Sequence, residues 1–250
     1  MRPFRAGSGQ SMTASRALSE ATSLVAGTAM AALAAARRGK AVHPHGVVHR
    51  ARLVVPGVPE APQGARLLAD AGEHEAIVRF SRSIGLPRPL PDLLGLSLRV
   101  VDAYGAGAHQ DFLLVTSIDA PVLHHVFVPA GRVDQRPYSS SLPYEAGAEE
   151  FLVGALPAGT PERFHLAVAP VEGRFRPVAE IRIGARLPEG ADALRFNPWN
   201  TGGGLRPAGL LNRWRRRAYP MSQAAWGVTR EGGRAKQERA ERVAGLVPST

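Results

Sequence analysis

From Val47 to Val55 the chain alternates, with Val47, His49, Ala51, Leu53 and Val55 on one side and Arg50 and Arg52 on the other. A period of two marks a strand with one buried face. Shorter stretches of the same character follow at 76–82, 96–102 and 111–117, separated by Gly/Pro-rich turns. Residues 163–170 and 174–187 predict a hairpin joined at Val171-Glu172-Gly173, with Ala179, Ile181, Ile183 and Ala185 on one face. Short strands joined this way suggest an antiparallel barrel or sandwich. Residues 15–40 predict an alanine-rich leading helix capped by Ser15 or Ser19. Helical character returns at 205–228, after the Thr201-Gly202-Gly203-Gly204 loop. The expectation is an α+β chain: an antiparallel β-barrel with flanking helices. One domain spans 15–228, between a mobile N-terminus (1–14) and a charged C-terminal tail (229–250) to which no chemistry is attached.

Composition narrows the partners. At 250 residues and 44% hydrophobic, the chain can bury a sizeable core. It contains no cysteine, which excludes disulfides, thiolate metal sites and a cysteine nucleophile. The net charge of +10 permits an anionic partner. Arginine carries nearly all of it, since lysine occurs only at 40 and 236. The longest apolar run, 24–36, is shorter than the roughly 20 residues a bilayer requires. It also lacks a convincing cleavage site, so a cytoplasmic location is the default expectation.

Two places carry candidate chemistry. His49 sits on the apolar side of its strand, either as a satisfied core histidine or as an acid/base held neutral by burial. On the next strand Arg79 and Ser81 point to one side together. The hydroxyl is expected to orient the imidazole, and the guanidinium to meet an anion. Near the C-terminus, Arg213-Trp214-Arg215-Arg216-Arg217-Ala218-Tyr219-Pro220 reads as a basic patch or as something more specific. On a helix, Arg215 and Tyr219 share a face, and a fixed cation beside a phenol favours the phenolate. Tyrosinate is one of the protein ligands that hold haem iron.

In order along the chain, these segments resemble the haem catalases. Val47-Val48-His49 is similar to the family's distal strand, and Val78-Arg79-Phe80-Ser81 to its Val-Arg-Phe-Ser. Asp92 to Val100 and Asp111-Phe112-Leu113 resemble the next two strands, and Arg215 to Pro220 the proximal Arg-x-x-x-Tyr-Pro. The resemblance runs over roughly 43–226. It implies haem b between a barrel face and a helix, with Tyr219 as iron ligand and Arg215 as its hydrogen-bonding partner. It further implies Arg79 on a propionate, Val48 at the haem, His49 as distal acid/base and Ser81 bonded to that histidine. The implied activity is a haem peroxidase acting on a hydroperoxide with an unidentified reductant.

The sequence also departs from that family. No asparagine stands near Asp111, leaving the Thr116 or Ser117 hydroxyl as a substitute of smaller donor capacity. Gly46 replaces an arginine before the histidine, and Trp226 one after the tyrosine. The chain is also far shorter than a full catalase. These departures favour organic hydroperoxides over hydrogen peroxide. Val48, where allene oxide synthases carry threonine, argues against that activity. The nearest rival is a non-catalytic haem carrier or sensor. A further rival is a metal-dependent phosphodiester hydrolase using His43, His45 and His49. A nucleic-acid role for the arginine cluster ranks below these, and a homodimer is left open. His124-His125 reads as a pair diverging on a strand, and Thr201 to Gly204 lacks the surroundings of a phosphate loop.

Overall fold

The computed structural model describes residues 45–87, 89–170, 172–208 and 230–246. The expected N-terminus and leading helix (1–40), and nearly all of the helix expected at 205–228, lie outside these residues.

The alternating segments fold as strands. β1 (His45–Val55), β2 (Gly72–Arg82), β3 (Leu94–Val100) and β4 (Gln110–Thr116) form an antiparallel meander. β5 (Tyr138–Ser139) continues it to β7 (Glu149–Pro157), then β8 (Arg163–Ala169) and β9 (Arg176–Arg186). β9 pairs back with β1, closing an eight-strand antiparallel barrel. β6 (Tyr144–Ala146) and β10 (Leu205–Pro207) extend the sheet beside β7. A four-residue helix, α1 (Arg66–Ala69), connects β1 to β2.

Period-two alternation fills the barrel. Leu53, Val78, Leu96, Leu98, Phe112, Leu166 and Ile181 are all buried on the inner side. Closure pairs each of the eight strands on both sides, although the two-residue β5 bridges β4 and β7 over only a short length. The outer side of β1–β4 is covered differently. α2 (Arg230–Ala244) and the 187–196 segment pack Leu187, Ala191, Leu194, Phe196, Ala240 and Ala244 against Val48 and Ile77. The expected charged tail is thus, over 230–246, a helix docked on the barrel. It ends at Gly245, whose φ of +71° suits a residue without a Cβ.

Two short-range expectations are corrected. His124 and His125 lie in a single 3-10 turn, Leu123–His125, rather than on a strand, and both are buried. Leu205–Pro207, expected to begin a helix, is a strand because its backbone pairs with β6.

Candidate functional site

Strand register decides what the candidate residues can do together. In an antiparallel pair, directly opposed residues project to the same face. His49 opposes Val78, which continues through Leu98 to Phe112, so the histidine belongs to the inner face. Arg79 opposes Val48, and Ser81 opposes Gly46, so these four belong to the outer face.

The expected Ser81–His49 pairing is therefore not formed by the register. The two lie on opposite sides of the sheet, and three residues of strand, about 10 Å, separate their positions along it. Alternation read the two strands correctly one at a time. It gave no information on which residue of one opposes which residue of the other.

His49 is half-buried where β9 runs past the end of β8. The pairing of β1 with β9 slips there: His49 opposes Arg186, while Ala51 opposes Ile183. This bulge leaves the Gly184 carbonyl to accept a hydrogen bond from His49 Nδ1 at 3.2 Å. Nε2 is then the acceptor nitrogen of the neutral ring. The Phe80 ring stands edge-on to the imidazole at 6.3 Å.

Arg79 is set into the outer face. A Cβ on Gly46 would lie 2.7 Å from both Cζ and Nε of Arg79, so the guanidinium occupies the space that a side chain at 46 would need. Burial lowers the arginine's pKa, and the Asp192 carboxylate opposes that shift. The arginine's cross-strand neighbour Val48 belongs to the outer apolar cluster with Leu187 and Leu194.

Thr116 is fully buried, and its hydroxyl accepts the Leu94 backbone N–H at 3.1 Å. The Ser117 hydroxyl donates to the His124 carbonyl at 2.8 Å. Both expected substitutes for the missing amide are thus engaged with backbone, and Thr116 lies four residues of strand from the His49 rung.

Tyr219, Arg215 and Trp226 lie outside the described residues, as do Arg213, Arg216, Arg217 and His43; of His45 only the backbone is described. Among the described residues no three His, Asp or Glu side chains converge as a metal site. The Gly-rich loop has a packing role: Cβ atoms on Gly202 and Gly203 would both run into the Tyr104 ring.

The remaining motif residues brace the fold. Asp92 accepts backbone N–H bonds from Ile84, Gly85 and Leu86. Arg99 makes a bidentate pair with Asp111 at 2.7 Å, and Asp111 also accepts from Asn197 and Asn200. That pair ties the loop at 195–200 to the barrel. Strands rich in apolar residues with a lone charge on each are the signal for such a pair, once their register is known.

No family model matches the chain, and no curated protein is similar to it. Solved structures are. A fungal catalase aligns at 12% identity with a TM-score of 0.52, covering 82% of this chain and 61% of that one. Catalase A from Saccharomyces cerevisiae aligns at 12% identity and a TM-score of 0.53, over 82% of this chain and 63% of its own. A bacterial catalase aligns at 13% identity and 0.51, over 86% and 62%. The fold is catalase-like. The chain spans a little over three-fifths of the length of these catalases, and at such identity the likeness shows fold alone.

Proposed function

We propose that this protein binds haem b on its catalase-like barrel, with Tyr219 as the iron ligand, Arg215 beside the phenolate, Arg79 toward a propionate and Val48 at the ring. The binding half of such a site is supported by Arg79, a seated cation on the same outer face as Val48. The residues available do not fit the acid–base half. Bound haem would supply a redox-active iron and a strong visible absorption band.

Of the two functions that could use these residues, the geometry favours a carrier or sensor over a peroxidase. The observation that carries this preference is the register, with His49 opposite Val78 and Arg79 opposite Val48, on different faces. Proton transfer requires a base within hydrogen-bond reach of the group it serves. A histidine on the far face from the propionate arginine is poorly placed for that.

The peroxidase reading has one observation in its favour. Because Nδ1–H is spent on Gly184, His49 keeps Nε2 as a basic nitrogen at the barrel end. Its substrate would be an organic hydroperoxide, with a separate reductant. No helix among the described residues is long and apolar enough to cross a membrane, and a cytoplasmic site of action belongs to the same proposal.

The test is to purify the full chain with haem supplied, and to record its spectrum beside that of Tyr219→Phe. Retained haem with a spectrum altered in the variant supports the ligand assignment; no retained haem overturns it. Absence of hydroperoxide turnover then supports the carrier. Turnover that vanishes in His49→Ala, with haem retained, restores the peroxidase.

A further inference from the structure

Residues 117–137 connect β4 to β5, and two histidines bind the middle of that connection to the rest of the molecule. His124 Nε2 donates to the Gly173 carbonyl at 2.7 Å, in the turn between β8 and β9, and its ring packs edge-on against Phe175 at 4.4 Å. His125 Nδ1 donates to the Ser141 carbonyl at 2.6 Å, between β5 and β6. Each imidazole thus spends its single N–H on a backbone carbonyl of a different connection between strands. The opposite nitrogens, His124 Nδ1 and His125 Nε2, are buried and have no partner among the described residues.

The arrangement at His125 suits a neutral ring alone. A proton on its bare Nε2 would place a positive charge and an unbonded donor in a dry site. The backbone on both sides is under tension. Val122, immediately before the turn, has a φ of 68°, and Ser141, whose carbonyl holds His125, has a φ of 57°. A β-branched residue in the left-handed region is an outlier that persists while its surroundings enforce it.

We propose that the 122–126 turn is an acid-released latch, holding the β4–β5 connection against the β8–β9 turn and the β5–β6 connection while the His125 imidazole is neutral and letting it open when that ring takes a proton. The latch does not depend on haem. The charged groups at the junction are few. Asp119 accepts the Phe175 N–H on its carboxylate, and Arg174 donates to the Asp119 carbonyl. Glu172 is exposed beside Gly173. The β5–β6 connection, Ser140 to Pro143, contributes no charge.

Burial depresses the His125 pKa most strongly; the Ser141 carbonyl opposes the shift, and neighbouring His124 adds to it. The sign follows. A histidine whose folded pKa is depressed destabilises the closed form as pH falls below its ordinary value of about 6.5, because the open form alone takes the proton there. The latch is fully engaged above that pH and weakens below it.

Hydrogen exchange of the full chain, corrected for intrinsic rates, tests this. Opening of 118–130 is expected to rise about fivefold from pH 6.5 to 5.5 while β3 stays protected. His125→Gln, which keeps a donor for Ser141 but cannot charge, is expected to abolish that rise. Unchanged protection in the native chain, or the same rise in the variant, overturns the latch. Should the variant not fold, nitrogen-detected NMR of the native histidines decides. A neutral Nδ1–H ring at His125 at pH 6 supports the proposal, and an imidazolium there with 118–130 still protected defeats it.

Discussion

The two faces of the β1–β4 sheet obey different rules. The inner face holds Val78, Leu96, Leu98, Phe112 and Leu114, with His49 at its rim. The outer face holds Arg79, Arg99 and Asp111 beneath α2 and the 187–200 segment. The first is held by volume alone, and the second by an apolar cluster together with the buried Arg99–Asp111 pair. Packing tolerates the loss of a methylene by degrees, whereas a buried charge that loses its partner has nowhere to go.

The sharpest way to break this contrast is on the outer face. Asp111→Ala removes the partner of a guanidinium that is almost wholly buried, and it orphans the Asn197 N–H as well. A loss of about 3–5 kcal/mol is expected in urea unfolding, as for other buried pairs that lose one member. Replacing both members with apolar residues should recover only part of it, because Asn197 and Asn200 would still lack their acceptor. Full recovery would mean that the charges contribute nothing beyond volume.

Leu98→Ala is the matching change inside. Leu98 is fully buried and stands two strands from His49 on the same rung. A cavity there should cost about 2–5 kcal/mol, graded by how far the barrel collapses around it. Larger aliphatic replacements, such as Leu98→Ile, should cost far less. A steep loss for both would point to a shape-critical core.

The sequence made these faces visible but not their relation. The alternation of Ala51, Leu53 and Val55 against Arg50 and Arg52 is what β1 does, and the antiparallel barrel follows from such strands and their turns. β7 escaped notice because Leu152, Val153 and Ala155 are apolar on both sides of the strand, so that alternation disappears. The site was less legible. Pairing Ser81 with His49 requires a register, and register is set by partners distant in sequence. The histidine tautomers were equally hidden, since a backbone carbonyl such as Gly184 or Ser141 leaves no trace in side-chain identity.

Gly46 tests the contact that joins the two strands on the outer face. A Cβ there meets the Arg79 guanidinium and the Phe80 carbonyl, at 2.7 and 2.8 Å. Gly46→Ala should cost about 1–3 kcal/mol from overpacking. The arginine can swing aside but the backbone cannot. Combining Gly46→Ala with Arg79→Ala should therefore relieve part of the penalty, giving a measurable coupling between the two positions. Strict additivity would place the whole clash at Phe80.

The smallest effect is expected at His49, and it is the most informative about function. The side chain is half-buried and makes one neutral hydrogen bond, to Gly184. Such a bond is worth about 0.5–1.5 kcal/mol, so His49→Ala should lower stability by no more than about 1.5 kcal/mol. Leu98→Ala, on the same rung, should cost more, about 2–5 kcal/mol. Thermal unfolding of the two variants side by side separates a rim residue from a core residue. If His49→Ala proves as damaging as Leu98→Ala, the histidine is a structural part of the barrel, and the basic nitrogen at its rim loses its claim to chemistry. If it costs almost nothing, the fold does not explain why a histidine stands there, and hydroperoxide turnover becomes the measurement that must.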